Sequence, residues 1–261
     1  MKGIILAGGH GTRLQPLTLA ISKQLLPVYN KPLIYYPLTT LMLAGIRDFL
    51  LISTPNHLSL FQSLLGNGSE LGINIEYATQ LNPSGIPDAF NIAKNFIGEE
   101  PISLILGDNF FYGPGIGRSL KESINPTGAK IFLKEVNNPE EFGVLFFDKT
   151  SKPIAIEEKP INPNSNLAVT GIYFYNNSVC EYVKFLKVSK RNELEISDLN
   201  MLYLSNNTLE YEILPRSTVW LDTGTFDGLH DASEFVRVIE KQQGIRVGDP
   251  LEVAVNNGWI K

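Results

Sequence analysis

The chain has 261 residues, of which 43% are hydrophobic and 19% are charged, which suits a globular protein with a full hydrophobic core. Its formal net charge of -5 argues against a nucleic-acid polymer as partner, because binding a phosphate backbone requires a cationic face. A single cysteine, Cys180, excludes an internal disulfide, and with only three histidines the composition argues against a structural zinc site.

The first predicted element is a short buried strand, Ile4 to Leu6, which leads directly into glycines at positions 8, 9 and 11. Glycines let backbone N–H groups approach phosphate oxygens, and Arg13 and Lys23 add full positive charges. The run lacks the Gly-Lys-Ser/Thr of a Walker A loop, and Leu14 stands where a Rossmann loop has its third glycine. The pattern favours another kind of phosphate-binding loop, the alternative being a tight turn with two surface cations.

Predicted helices and strands alternate over the first half of the chain. Helices are predicted over 33–44 and 58–65 and from Pro87 onward, and strands over 49–52, 73–78 and 103–106. This alternation indicates an α/β protein with a doubly wound, mainly parallel, Rossmann-like sheet. Ligands of such sheets bind beyond the carboxyl ends of the strands, where both Gly8 and Asp108 are expected.

After Gly128 the pattern changes to closely spaced strands with short turns, which favours antiparallel pairing. Strands are predicted over 130–136, 144–147, 154–159, 168–175, 209–214 and 218–221, and helices over 178–186, 196–205, 226–242 and 251–257. The last two strands are expected to return to the main sheet. No linker or repeat interrupts the chain, so residues 1–261 are predicted to form one domain. Within it, residues 1–127 would form the core, 128–224 a lobe and 225–261 C-terminal helices.

Two aspartates each come directly after an apolar predicted strand. Asp108 follows the strand 103–106, and Asp222 follows the strand 218–221 and precedes Gly224. Such an aspartate can serve the turn alone. Magnesium, however, is commonly bound by one or two carboxylates together with phosphate oxygens and water. The two aspartates are candidate metal ligands, while turn chemistry is the alternative that the strand-Asp-turn pattern alone favours.

Residues 6–18 read LAGGHGTRLQPLT and are followed by Lys23 and Pro27. This long run resembles the opening motif of the sugar-phosphate nucleotidyltransferase family. Residues 22–27, SKQLLP, are most similar to its glucose-1-phosphate thymidylyltransferases, and the likeness continues to Trp259. The resemblance implies a GT-A-like nucleotidyltransferase fold whose antiparallel lobe binds the sugar. It also implies Mg²⁺-dependent attack of glucose 1-phosphate on the α-phosphorus of dTTP, giving dTDP-glucose and pyrophosphate.

The resemblance also assigns roles to single residues of this chain. Arg13 and Lys23 would be catalytic, and Asp108 and Asp222 would hold the metal. The implied nucleotide-binding residues are Leu6, Gly8, Gly9, Gly11, Thr12, Arg13, Gln24, Gln80, Gly85 and Asp108. The implied sugar-phosphate-binding residues are Asn109, Gly143, Glu158, Lys159 and Val169.

The predicted strand around Glu158 supports its place in a pocket. Residues 154–160 read IAIEEKP, and period-2 alternation puts Glu158 on the face of Ile154 and Ile156, with Glu157 on the opposite face. A carboxylate on an apolar face is costly unless it is paired or bound to a ligand. The pattern fits a group that accepts hydrogen bonds from sugar hydroxyls, while a solvated strand end is the alternative.

The sequence departs from these relatives at two places. Residues 86–89 read IPDA where thymidylyltransferases usually carry LAQA, so that Asp88 replaces a neutral amide. Asp88 either occupies the first turn of a helix begun by Pro87, or it faces the base or sugar. Pro114 stands where close relatives often carry histidine, which bears on assembly and on an effector site rather than on the chemistry.

Two other functions stay open at this point. Asp88 motivates the same chemistry with another base or sugar, such as a UTP-dependent uridylyltransferase. A non-catalytic nucleotide-sugar sensor is the alternative from a different class. The first strand begins at once and no apolar run reaches the ~18 residues of a membrane span, so we expect a cytoplasmic protein without a membrane partner. The resemblance suggests a homo-oligomer, often a tetramer.

Overall fold

The computed structural model describes residues 1–9 and 11–261. Its strands are β1 (Lys2–Ala7), β2 (Pro27–Val28), β3 (Lys31–Pro32), β4 (Asp48–Ser53), β5 (Asn74–Thr79), β6 (Ile102–Leu106), β7 (Asn109–Tyr112), β8 (Ala129–Glu135), β9 (Gly143–Phe147), β10 (Pro153–Glu158), β11 (Leu167–Tyr175), β12 (Leu209–Ile213) and β13 (Val219–Asp222). Its helices are α1 (Tyr35–Leu43), α2 (Pro55–Leu65), α3 (Asp88–Ile92), α4 (Lys94–Ile97), α5 (Ile116–Glu122), α6 (Val179–Tyr182), α7 (Ile196–Ser205), α8 (Phe226–Gln243) and α9 (Pro250–Asn256).

The chain forms two compact units, each assembled from separate segments. The first unit contains residues 2–83, 105–122 and 218–261, and the second contains residue 1 with 84–104 and 123–217. Strand β6 passes from the second unit into the first between residues 104 and 105.

The first unit contains parallel strands in the order β1, β4, β5. Ile5 lies opposite Leu51, which in turn lies opposite Tyr77. Strands β1 and β4 are buried over nearly their whole length, as expected for parallel strands that are covered on both faces. The helix α1 ends where predicted, because Gly45 takes the left-handed conformation (φ 88°) that stops it.

A feature of the first unit that differs from the prediction is the pairing of β13. Its residues were expected to return to the main sheet, but β13 instead pairs antiparallel with β7 in a separate two-stranded ribbon, where Asp222 lies opposite Asn109. Strand β7 forms after the chain turns at Gly107 and Asp108, and three aromatic residues, Phe110, Phe111 and Tyr112, follow Asn109 in it. This ribbon is what brings the two predicted metal aspartates into one region.

The ribbon of β7 and β13 packs against a hydrophobic cluster. Phe110 of β7 packs with its ring centroid 5.1 Å from that of Tyr36 and 5.7 Å from that of Phe235 in α8. Burying a side chain of this kind contributes about 1.5–3 kcal/mol. The fully buried members of the cluster are Val28, Leu33, Tyr36, Phe110, Ala232, Val236 and Val247.

The second unit is mainly antiparallel, as predicted. Strand β11 pairs antiparallel with β8 and β9, and β9 pairs antiparallel with β10, whereas β12 joins the other edge of β8 in parallel. The alternation predicts that Ile154 lies on the buried face of β10. This prediction is wrong, because Ile154 is 54% exposed. The register shifts between Pro153 and Ala155, and a bulge inserts one residue and so interrupts the alternation. Beyond the bulge, Ile156 is buried, Glu157 exposed and Glu158 half-buried.

The predicted fold class is confirmed: the protein is a mixed α/β structure with parallel strands in its core and an antiparallel lobe. Within residues 1–9 and 11–261, no helix has both the length and the apolar character needed to cross a membrane.

Candidate active site

The described residues of the Gly-rich segment, 8, 9 and 11, follow the end of β1, and a turn begins at Gly11. Gly11 adopts φ 57°, and a Cβ placed there would lie 3.0 Å from the Cγ2 atom of Thr18. The Thr18 hydroxyl donates a hydrogen bond to the Gly11 carbonyl (2.7 Å), and residues Thr12–Leu14 then form one turn of 3₁₀ helix. The close packing and the left-handed backbone both require glycine at position 11. The turn leaves Gly9, Thr12 and Arg13 exposed.

Two buried glutamines lie beside the same turn. Gln24 is 1% exposed, and its Nε2 donates to the Gly8 carbonyl (3.3 Å) while its Oε1 accepts from the Ser22 hydroxyl. Gln80 is 6% exposed, and its Oε1 would lie 3.2 Å from a Cβ at Gly8. The structure therefore brings both predicted amides to the glycine turn. Leu6 lies at the start of that turn, and its carbonyl accepts from the Gly107 amide (2.9 Å).

Lys23 and Asp108 form an ion pair next to this turn. The ammonium group of Lys23 donates a hydrogen bond to Asp108 Oδ2, and both side chains are largely buried, with 15% and 13% exposed. Burial by itself raises the pKa of a carboxyl group, but the charge and hydrogen bond of Lys23 outweigh it and hold the pKa of Asp108 below its usual value. Lys23 thus favours the ionised form of this buried carboxylate.

Asp222 lies in the same cluster, but its pKa is shifted in the opposite direction. Burial, and then the negative charge of Asp108, raise the pKa of Asp222, although Lys23 and Arg13 act in the other direction. Arg13 Nη2 lies 3.8 Å from Asp222 Oδ2, and its side chain is 57% exposed. The amide of Gly224 donates to Asp222 Oδ1 (3.0 Å), which fixes the carboxylate at the end of β13.

This donor set fits a divalent cation that takes most of its ligands from elsewhere. Two carboxylates that repel one another, one of them with a raised pKa, are relieved by a cation between them. In residues 1–9 and 11–261, no group of three or more His, Cys, Asp or Glu side chains could hold a metal. Asp108 and Asp222 could give a divalent cation two carboxylate oxygens, with phosphate oxygens and water as its other ligands.

Asn109 lies within this cluster. Its amide nitrogen donates to Asp108 Oδ1 (3.2 Å), and its Oδ1 accepts from Trp220 Nε1 (2.6 Å). The side chain is 3% exposed. The Asp108 backbone carbonyl also accepts from the Thr223 amide (3.1 Å) and hydroxyl (2.7 Å), so that residues from β7, β13 and the turn after β13 together hold Asp108.

A second group of predicted residues meets in the second unit. Glu158 Oε2 accepts a hydrogen bond from the Ser197 hydroxyl (2.7 Å), and Glu158 Oε1 lies 3.7 Å from Arg191 Nη2. A Cβ at Gly143 would lie 3.2 Å from Glu158 Oε2 and 3.0 Å from the Ser197 hydroxyl. Gly143 thus leaves the space in which this carboxylate sits. Lys159 follows with φ 49° and an exposed side chain, and Val169 is 8% exposed.

Gly85 has a structural reason to be glycine whatever it binds. It has φ 101°, forms a bridge with Leu194, and a Cβ there would lie 2.1 Å from the Leu194 carbonyl oxygen. Gly98 also has a positive φ of 59°, but a Cβ there would meet nothing within 4 Å.

We expect Gly85→Ala to destabilise the protein more than Gly98→Ala does. Both substitutions add strain of about 1–3 kcal/mol through the backbone angle, and only the first adds a clash with main chain. Urea unfolding of both variants measures the difference. Equal losses would show that the segment carrying Leu194 moves aside at no cost.

Sequence reasoning missed several residues of these two clusters. Arg191 and Ser197 reach Glu158 because α7 packs against β10, and nothing in the sequence predicts that contact. Arg191 and Glu195 form an oppositely charged pair four residues apart, a spacing that the sequence does display. Trp220 lies within the strand predicted over 218–221, and nothing in the sequence indicates that its ring nitrogen binds Asn109.

A cavity of about 370 Å³ lies elsewhere in the first unit. The end of α2, the turn at 66–71, Tyr35 and the start of α9 line it. None of the predicted site residues is among the residues that line it.

A Gly-rich turn after a parallel strand, together with two cations and two carboxylates, is an arrangement suited to an enzyme that acts on phosphates. The sequence model of the family described as Nucleotidyl transferase matches residues 2–238 of the chain. The chain belongs to the nucleotidyl transferase family and is an enzyme of that class, which confirms the resemblance seen in residues 6–18.

The relatives are similar over nearly their whole length. The glucose-1-phosphate thymidylyltransferase of Mycobacterium tuberculosis (strain ATCC 25618 / H37Rv) is 55% identical over 260 residues, which cover 100% of this chain and 90% of that protein. The glucose-1-phosphate thymidylyltransferase of Neisseria meningitidis serogroup A / serotype 4A (strain DSM 15465 / Z2491) is 52% identical over 261 residues, with 100% and 91% covered.

Solved structures agree. The crystal structure of a presumed glucose-1-phosphate thymidylyltransferase from Bacillus anthracis in complex with a sucrose has a TM-score of 0.85 and 39% identity, covering 97% of this chain and 99% of that one. The crystal structure of UDP-glucose pyrophosphorylase complexed with UDP-glucose has a TM-score of 0.79 at 24% identity, covering 92% and 99%, and this likeness concerns the fold alone.

Proposed function

We propose that this enzyme transfers the thymidylyl group of dTTP to glucose 1-phosphate and forms dTDP-glucose and pyrophosphate. The observation that carries the proposal is the cluster of Arg13, Lys23, Asp108 and Asp222 beside the Gly-rich turn, in a chain whose full-length relatives carry that activity in their names.

The reaction needs no nucleophile from the protein, because a sugar phosphate is itself an oxygen nucleophile. One of its phosphate oxygens bonds to the α-phosphorus of dTTP, and the bond from that phosphorus to the β-phosphate oxygen breaks, which releases pyrophosphate. The obstacle is repulsion between two polyanions, so positioning and charge neutralisation dominate. Lys23 and Arg13 supply positive charge, and the amides of the Gly-rich turn supply dipoles.

We assign Mg²⁺ as the cofactor, with Asp108 and Asp222 as its protein ligands. When bound, the ion neutralises charge on the phosphates. The two residues fit this role for electrostatic reasons. Lys23 favours the ionised form of Asp108, whereas the charge of Asp108 disfavours the ionised form of Asp222. A divalent cation would relieve that repulsion. Asn109 and Thr223 hold Asp108 in place through its carboxylate and its backbone carbonyl.

The pyrophosphate-release assay tests the proposal directly. The purified protein is mixed with Mg²⁺, each common nucleoside triphosphate and each of several sugar 1-phosphates, and we expect the highest specificity constant with dTTP and glucose 1-phosphate. A preference for UTP would instead establish the uridylyltransferase alternative. Tight nucleotide binding without pyrophosphate release for any sugar phosphate would establish the sensor.

Glu158 is assigned to the sugar hydroxyls, and Glu158→Gln tests that assignment. A glutamine keeps the size of the side chain, but it loses the charge and replaces one acceptor oxygen by an NH₂ donor. We therefore expect the KM for glucose 1-phosphate to rise by about fivefold to fiftyfold, while the KM for dTTP changes little. The matched control is Glu157→Gln, since Glu157 is the exposed neighbour on the opposite face of β10. A rise in the KM for dTTP alone would show that the two substrates have been assigned to the wrong residues.

Asp88 is the first residue of α3, and its Oδ1 accepts from Asn91 (3.3 Å). In this position its charge stabilises the helix by about 0.3–1 kcal/mol through the helix dipole. We therefore expect Asp88→Gln to leave the ratio of specificity constants for dTTP and UTP unchanged. A shift of about tenfold or more in that ratio would mean that Asp88 faces the base or sugar in a desolvated pocket.

We further propose a homo-oligomer, a tetramer by resemblance, in the cytoplasm, without a membrane or nucleic-acid partner. Light scattering of the purified protein tests the assembly, and cell fractionation tests the location.

A further inference from the structure

The second unit contains a buried carboxylate that the proposed chemistry does not use. Glu195 is 9% exposed and stands immediately before α7. A buried carboxylate is costly unless its oxygens are paired. Its Oε1 accepts from the Ser189 hydroxyl (2.6 Å) and from Arg191 Nε (3.0 Å), and its Oε2 accepts from Arg191 Nη2. Glu195 therefore binds the guanidinium of Arg191 through two parallel hydrogen bonds.

Arg191 is thereby fixed in a loop that would otherwise leave it free to rotate. Its side chain is 47% exposed, and it stands in the loop before α7, where such a residue has several rotamers available. The two-point contact with Glu195 selects one orientation of the planar guanidinium. The Arg191 amide also donates to the Ser189 hydroxyl (3.1 Å), so that backbone and side chain are held by the same small group of residues.

In this orientation Arg191 reaches Glu158. Its Nη2 lies 3.7 Å from Glu158 Oε1, while the Ser197 hydroxyl binds Glu158 Oε2. Each oxygen of Glu158 thus faces a defined partner on the segment 189–197. One of these partners, Arg191, is itself placed by Glu195.

We propose that Glu195 is a positioning residue that acts through Arg191 on Glu158 and so sets the orientation of the carboxylate that receives the sugar. This inference rests on the proposed role of Glu158. Glu195 touches no substrate in this scheme, and its loss allows Arg191 to leave Glu158 without removing either of them.

A double-mutant cycle tests the proposal, with the KM values for glucose 1-phosphate and dTTP measured for the full-length enzyme. We expect Glu195→Gln to raise the KM for glucose 1-phosphate by about three- to tenfold and to leave the KM for dTTP within twofold. In the Glu158→Gln background, the same change should add less than about twofold, because the group through which Glu195 acts has already been altered. Glu193→Gln is the control, since it removes a carboxylate from the same loop and leaves the contact between Arg191 and Glu195 in place.

The outcomes separate this proposal from the proposed function. If Glu158→Gln leaves the KM for glucose 1-phosphate unchanged, Glu158 does not bind the sugar and both fail. If Glu158→Gln raises that KM but the effect of Glu195→Gln is fully additive, or equal to that of Glu193→Gln, only the positioning role fails. If Glu195→Gln does not fold, as judged by circular dichroism, Arg191→Lys replaces it in the test. This variant keeps the positive charge and loses the two-point contact, and we expect the same changes in the two KM values.

Discussion

Lys23→Met should lower kcat by about 10²–10³-fold while the KM for dTTP changes much less. The ammonium group is placed beside the Gly-rich turn by its ion pair with Asp108, and the residue is largely buried, so solvent screens its charge weakly. A fixed charge of this kind matters most when the two phosphates approach one another, which is a property of the transition state. Steady-state kinetics with saturating Mg²⁺ measures the effect.

The control for this variant comes from a similar ion pair elsewhere in the first unit. Lys31 Nζ lies 2.7 Å from Glu240 Oε1, with side chains 11% and 12% exposed, and it is not among the predicted site residues. Lys31→Met also removes a largely buried cation and leaves the Glu240 carboxylate without its opposite charge, so it should cost stability without a comparable loss of kcat. If Lys23→Met stayed within about threefold of the wild-type kcat, the catalytic role of Lys23 would be wrong.

Most of the fold could be predicted from the sequence because its elements carry local signals. Strand β1 and helix α1 are marked by apolar runs and by glycines at their ends, and the observed bounds agree with the predicted ones within two residues. The failures have a common physical origin. The partner of β13 and the bulge at Ile154 are set by which segment pairs with which, and pairing between distant segments leaves no local pattern.

In the candidate site, too, residues with a local sequence signal could be predicted, and contacts between distant segments could not. The glycines, Arg13, Lys23 and Asp108 lie near the ends of buried strands, and a known rule for α/β sheets predicts where such residues meet. The network around Glu158 could not be predicted, because Arg191 and Ser197 reach it only through the packing of α7 on β10. The same is true of Trp220, which reaches Asn109 through the ribbon of β7 and β13.

The two proposed metal ligands, Asp108 and Asp222, are expected to respond alike to substitution in activity and differently in stability. Asp108→Asn and Asp222→Asn should each raise the Mg²⁺ concentration for half-maximal rate by about tenfold or more, because an amide is a neutral and weaker ligand than a carboxylate. Asp249→Asn is the control, since Asp249 caps α9 and asparagine caps a helix equally well. An unchanged Mg²⁺ titration for either variant would remove that residue from the metal site.

Stability of the metal-free protein distinguishes the two aspartates. The pKa of Asp108 is lowered on folding, so its ionised form stabilises the protein at pH values above its unfolded pKa, and this contribution is lost as the pH falls through its folded pKa. The pKa of Asp222 is raised, so its contribution is present below its unfolded pKa and is lost as the pH rises through its folded pKa. At pH 7 without metal, Asp108→Asn should therefore lower the free energy of unfolding, because the substitution also removes the charge that faces Lys23. Asp222→Asn should leave the free energy of unfolding unchanged or raise it. Urea unfolding in the presence of a chelator measures both, and a clear loss of stability in Asp222→Asn would mean that Arg13 and Lys23 already neutralise this carboxylate without a metal ion.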